Sequence, residues 1–201
     1  MESAAPLVFG ICFALGEFRF SIPGIVFFGL WEAHYIHRAF IYPLQRRNGD
    51  KQMPLAVICP GFIFNSVNGY LNGRFVFSFS GGYSESWLTD PRFLAGVVLF
   101  VAGFIINRDA DVILSSLRKP GQSGYSIPSG GLYRFISCPN YLGEILIWSG
   151  WALSTWSLAG LSFAVWTIAN LVPRARSNHV WYQTSFPKYP RRRKALIPWI
   201  W

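Results

Sequence analysis

The stretch SCPNYLGEILIWSGWALSTW, residues 137–156, poses the question that decides the fold. From Leu142 onward it reads as a helix suited to lipid. Its first turns nevertheless carry Asn140 and Glu144, an amide and a carboxylate four residues apart and therefore on one helix face. Ionisable groups at membrane depth are costly and usually face a cavity or a partner. A plain reading is available: Ser137 caps the helix, Pro139 sits in its first turn, and Glu144 lies near the positive dipole end.

The rest of the chain has the same character. Of its 201 residues 52% are hydrophobic, 18% aromatic and 13% charged. Soluble domains carry roughly 25% charged residues, so the composition belongs to the membrane class. No basic region precedes the first apolar run, so a removable signal peptide is not expected. Cys12, Cys59 and Cys138 lie in or beside apolar segments and suit neither a disulfide framework nor a zinc site. No metal site is expected.

A spanning helix needs about 20 mostly apolar residues. Six segments qualify as candidates: 2–16, 22–42, 54–71, 93–106, 140–154 and 158–172. Charge is distributed unevenly between them. Arg38, the 46–51 and 108–134 loops and the tail from Arg174 to Lys194 hold fifteen of the eighteen basic residues, against Arg19, Arg74 and Arg92 elsewhere. The positive-inside rule places the basic loops and the C-terminus in the cytoplasm. The net charge of +9 is explained by this topology, and no nucleic-acid partner is expected. The sequence predicts an all-α integral membrane protein, a helical bundle of six transmembrane helices in a single domain over residues 1–201.

Polar residues recur near the cytoplasmic ends of these segments. In HYIHRAFIY, His34 and Arg38 share a face, as do Arg38 and Tyr42, with Tyr35 seven residues before Tyr42. Asn107 and Asp111 are four apart, with Arg118 two turns on. The loop RKPGQSGYSIPSGG is rich in Gly and Pro but contains neither a Walker motif nor GxGxxG. A phosphate-bearing ligand would be met by Arg and Lys side chains.

The segments HYIHRAFIYP, NGY, GFIINRDADVILSSLRKPG, YSIPSGGLYRFISCPNYLGEILIWSGWALSTWSLAG, NLVPRARSNHVWYQTSFPKYP and RRKALIPWIW together resemble the steroid 5α-reductase family. The resemblance runs in order from about His34 to the C-terminus, and the HYIHR and SCPNY wording is nearer the plant branch than the vertebrate one. It implies a seven-helix membrane enzyme that uses NADPH to reduce the double bond of a 3-oxo-Δ4 steroid. The polarising Tyr of the family falls on Tyr35 and the earlier Glu on Glu2, within MESAAP, where an apolar setting would keep the carboxyl protonated as a donor. Cofactor contacts fall on Tyr42, Asn68, Asn107, Asp111, Arg118, Tyr125, Asn140, Glu144, Arg174, His179 and Tyr182. Asn178 stands where vertebrate members have a His, and Cys138 is expected to pack.

The family has one further helix before MES. The chain is therefore expected to lack the first transmembrane helix and, in this form, to be poorly active. Its other expected properties are a steroid drawn from the bilayer, contact with membrane lipid and a monomeric state. A multi-pass location in the endoplasmic reticulum membrane of a eukaryote or the inner membrane of a bacterium also follows. The alternatives are an enoyl-CoA or polyprenol double-bond reductase of the same superfamily, a membrane methyltransferase, or an inactive truncated form.

Overall fold

The computed structural model describes residues 1–45, 54–117 and 125–201. Among them the regular structure is helical, and extended pairing is limited to an isolated parallel bridge between Ile136 and Lys194. The main helices are α1 (Ala4–Leu15), α2 (Ile22–Ile36), α3 (Tyr42–Gln45), α4 (Leu55–Arg74), α5 (Pro91–Ser116), α6 (Pro139–Thr155) and α7 (Leu158–Ser185). A helix therefore stands at each of the six expected segments. One of them, α7, is long and apolar enough to cross a membrane by length and composition; α1 is apolar but shorter.

Several boundaries differ from the sequence reading, each for a local reason. Glu2 lies ahead of α1 rather than inside it, because the helix starts after Ser3. The second segment is an α-helix only to Ile36; His37–Ile41 form a π-helical turn closed by the Tyr42 N–H on His37 O. Pro43, just beyond, has no N–H to give the ladder. The final helix passes through Pro173 and continues to Ser185, well beyond residue 172. Helix starts follow capping chemistry. Ser21 Oγ accepts from Gly24 N at 3.1 Å, Asp90 Oδ1 from Arg92 N at 2.8 Å, and Ser157 Oγ from Gly160 N at 2.9 Å.

The chain forms two compact units: residues 1–94 with 155–160, and residues 95–154 with 161–201. In the first, α1 packs along α4. A Cβ on Gly69 would meet Ala5 O at 2.7 Å, and one on Gly73 would meet Cys12 Cβ at 2.7 Å, so both glycines are needed for the close approach. Phe9 stacks on Trp31 at 4.5 Å and meets Phe77 edge-on at 5.1 Å, forming the buried aromatic centre.

In the second unit, α5 and α6 cross on two glycine pairs. A Cβ on Gly103 would lie 2.6 Å from Gly143 O, and one on Gly150 would lie 2.5 Å from Gly96 O. The members of each helix are seven residues apart, so one face of each supplies the contact. A second centre, Cys138 with Ala175 and Leu196, joins the start of α6 to α7 and the tail.

Candidate functional site

In the first unit the structure brings together Tyr35, Asn68 and Asn72. Tyr35 is 3% exposed, and its ring lies 5.0 Å from Trp31 and 5.1 Å from His34. Asn68 Nδ2 donates to Tyr35 Oη at 3.4 Å, a long bond. Asn72 Nδ2 in turn donates to Asn68 Oδ1 at 3.0 Å and to Asn68 O at 3.1 Å. Asn68, expected among cofactor contacts, thus stands beside the expected catalytic tyrosine. Asn72 was missed by sequence reasoning, although its spacing of four from Asn68 was a visible signal.

Glu2 is not an isolated carboxyl in an apolar setting. Its Oε2 lies 3.4 Å from Arg38 Nε, and the two side chains are about a third and a quarter exposed. Arg38 also covers the Tyr42 ring at 5.2 Å. The π-helical turn sets a five-residue spacing that brings the His37 and Tyr42 rings to 6.5 Å.

In the second unit the glycine crossing of α5 and α6 places Asn107 against the first turns of the opening stretch. Asn107 Nδ2 donates to Asn140 O at 3.0 Å and to Glu144 Oε1 at 3.1 Å. Trp148 Nε1 donates to Glu144 Oε2 at 3.0 Å. The carboxylate that looked misplaced in an apolar helix is therefore held by an amide from α5 and an indole one turn on. Asp111, one turn beyond Asn107, is 4% exposed.

A further cluster forms where the tail returns to α6. Ser137 Oγ lies 2.6 Å from His179 Nδ1 and 2.6 Å from Tyr189 Oη, and 3.2 Å from Lys194 O. Ser137 does not cap α6; its hydroxyl is occupied across the fold. Gln183 lies 2.9 Å from His179 Nε2. Tyr182 stacks on Tyr189 at 5.2 Å. Asn178 donates to Tyr141 Oη at 3.4 Å and to Cys138 Sγ at 3.8 Å. Burial is the main cause that pushes the Cys138 thiol up to about 11, in keeping with a packing role. Ser137 and Tyr189 had not been singled out for this cluster, because their partners lie more than forty residues away.

The other expected cofactor residues are more open. Arg174 is exposed, and Tyr125 is 72% exposed with its ring edge-on to Trp181 at 5.0 Å. Arg118, like the basic Arg46 and Arg47, lies outside the described residues. The expected catalytic pair, Tyr42 and Asn68 thus belong to the first unit, and the remaining described cofactor candidates to the second.

Comparison with known proteins bears on the chain as a whole. The 3-oxo-5-alpha-steroid 4-dehydrogenase 1 of Macaca fascicularis is 44% identical over 180 residues, 90% of this chain and 68% of the relative. The human protein of that name is 43% identical, covering 90% of this chain and 69% of the relative. The steroid 5-alpha-reductase DET2 of Solanum lycopersicum is 43% identical over 204 residues, 100% of this chain and 79% of the relative. Vertebrate and plant relatives thus match at overlapping identity, and overall identity does not separate the two branches. Residues 51–201, which carry Asn68, Asn107 and Glu144, match the family described as 3-oxo-5-alpha-steroid 4-dehydrogenase, and the chain belongs to that family.

Proposed function

We propose that this protein is a membrane-embedded reductase that saturates the Δ4 double bond of a 3-oxo-Δ4 steroid to give the 5α-reduced ketone. Beyond family membership, one observation carries the reading: a buried tyrosine hydroxyl, Tyr35, held by a buried amide pair on a neighbouring helix.

The reaction adds a hydride at C5 and a proton at C4. As C5 is reduced, negative charge grows on the C3 oxygen. A hydrogen-bond donor fixed at that oxygen lowers the barrier, because it interacts most strongly where charge develops. Tyr35 brings the phenol proton, and the Asn68–Asn72 pair orients its oxygen. Glu2 acts as a second donor in its protonated form, which requires it to leave Arg38.

The second-unit side chains suit a dinucleotide in their donor and acceptor chemistry. Asn107, Asn140 and Glu144 offer amide and carboxylate groups, Asp111 a carboxylate for hydroxyls, and the exposed Arg174 a planar fork for phosphate. His179, Tyr182 and Tyr125 complete the candidates, with Tyr42 from the first unit. NADPH, when bound, supplies the hydride.

Helices α1, α2, α4, α5, α6 and α7 are read as six membrane spans. The tail is placed in the cytoplasm by the basic-residue bias, and α7 satisfies the length and apolarity of a span. The steroid reaches the site from the bilayer, and the protein acts as a monomer, in the endoplasmic reticulum membrane of a eukaryote or the inner membrane of a bacterium.

The test uses the full chain in lipid nanodiscs with NADPH and a 3-oxo-Δ4 steroid, an enoyl-CoA or a polyprenal. Cofactor oxidation with the steroid alone is expected, at a low rate; oxidation with none of the three overturns the reading. Oxidation with only the thioester or the polyprenal would replace this reading with the corresponding reductase.

A further inference from the structure

Helix α7 carries a groove of about 700 Å³ that none of the proposed chemistry uses. Its walls are the aliphatic Val172 and Val180, the indoles of Trp181 and Trp201, and the guanidinium stem of Arg176. Val172, Arg176 and Val180 recur every four residues and so share one face. Pro173 and Ser177 complete the lining, which includes none of the proposed site residues. The groove borders the cofactor candidates of α7: Trp181 lies seven residues from Arg174 and meets the Tyr182 ring at 5.0 Å.

Its far wall is built, not incidental. Trp201 closes a tight turn in which its O atom accepts from Leu196 N at 2.9 Å and Ile197 N at 2.6 Å, while its own N–H returns to Ile197 O at 3.1 Å. The preceding Lys194 is tied to the start of α6, donating to Phe135 O and accepting from Ser137 N, both at 2.9 Å. The backbone that carries the Trp201 ring is therefore fixed by hydrogen bonds.

The height of the groove follows from helix geometry. With α7 starting at Leu158, a rise of about 1.5 Å per residue crosses a hydrocarbon core of about 30 Å in some 20 residues. The apolar run ends sooner, near Val172, ahead of the basic tail that begins at Arg174. Val172 then faces the last of the acyl region, and Arg176 and Trp181 stand at headgroup level, where Arg snorkels and Trp is enriched. An apolar channel with a cation at its polar end matches one kind of molecule in both charge and polarity. A zwitterionic headgroup offsets its phosphate with its own ammonium, whereas an anionic one leaves the charge for Arg176.

We infer that this groove binds one anionic phospholipid, its phosphate on Arg176 and an acyl chain between the valines and the two indoles. The inference rests on the membrane-spanning reading of α7.

The experiment places the full chain in phosphatidylcholine vesicles carrying a small fraction of brominated phosphatidylglycerol or brominated phosphatidylcholine. The Trp181 contribution to fluorescence quenching is taken by difference from Trp181→Phe. One cation near the surface favours the anionic lipid by about fivefold, and that preference is expected for the unmodified chain. Arg176→Gln is expected to abolish it, while Arg191→Gln, which removes an exposed charge outside the groove, preserves it. Equal quenching by the two lipids overturns the inference but leaves the spanning reading intact. Equal losses in both variants also overturn it, since the attraction is then diffuse. No quenching by either lipid overturns the inference and the spanning reading together.

Discussion

Tyr35 is the residue on which the proposed chemistry turns. Removing a positioned donor costs on the order of 10²–10³ in turnover. Tyr35→Phe is therefore expected to lower kcat by about that factor while NADPH affinity, measured by equilibrium titration, is unchanged; wild-type turnover would defeat the mechanism. For Glu2, the Gln variant keeps a donor where Ala has none, so Glu2→Gln is expected to retain more turnover than Glu2→Ala. Glu144→Ala removes the acceptor of both Asn107 and Trp148 and is expected to raise the Kd for NADPH with a smaller effect on kcat at saturation. Tyr35, Asn107 and Glu144 were visible in the sequence as members of spaced pairs, and Glu2 only through the family resemblance. Which pair meets which was not, because Asn107 and Glu144 are 37 residues apart.

At the scale of elements, one device holds site residues and another fixes the start of a helix. The first is the glycine crossing of α5 and α6. A methyl at Gly143 would lie 2.7 Å from Asn107 N and Gly103 O, both backbone atoms that cannot rotate away. Gly143→Ala is expected to destabilise the protein by about 1–3 kcal/mol, read as a lowered thermal midpoint, and to weaken NADPH binding by displacing Asn107. The second is the start of α5. Asp90 caps it and pairs with Arg92 at 2.9 Å, and the hydrogen bonds from Arg92 hold its carboxyl down at about 2. A depressed pKa stabilises the fold above the ordinary carboxylate value, and that contribution is lost as the pH falls toward 2. Asp90→Asn is therefore expected to flatten the acid limb of the stability profile between about pH 4 and pH 2, measured by thermal melts across that range. The sequence reading began this helix at residue 93 and did not single out Asp90. The π-helical turn after Ile36 was not legible either, since the same residues fit a straight helix equally well by periodicity.

Across the whole molecule, thiol accessibility separates core from surface. Cys59 is exposed, while Cys12 and Cys138 are buried. Alkylation in the native state by a membrane-permeant maleimide is expected at Cys59 well before Cys138, whose thiol is both covered and harder to ionise; equal rates, followed by mass spectrometry, would mean the tail is not docked on α6. What the sequence determined by itself is local and compositional. Apolar runs broken by Gly, Pro and charge produce helices at six places, and the spacing of polar residues sets which of them share a face, because both follow from covalent geometry and side-chain polarity. The order of motifs was enough to place the chain in its family. Only the tertiary structure decided that Asn68 and Asn72 serve Tyr35, that Glu2 pairs with Arg38, and that Ser137 binds His179 and Tyr189 instead of capping its helix. Those pairings depend on how closely helices approach, and that distance is set by glycines and bulky rings meeting across the fold, a relation that no single stretch of sequence contains.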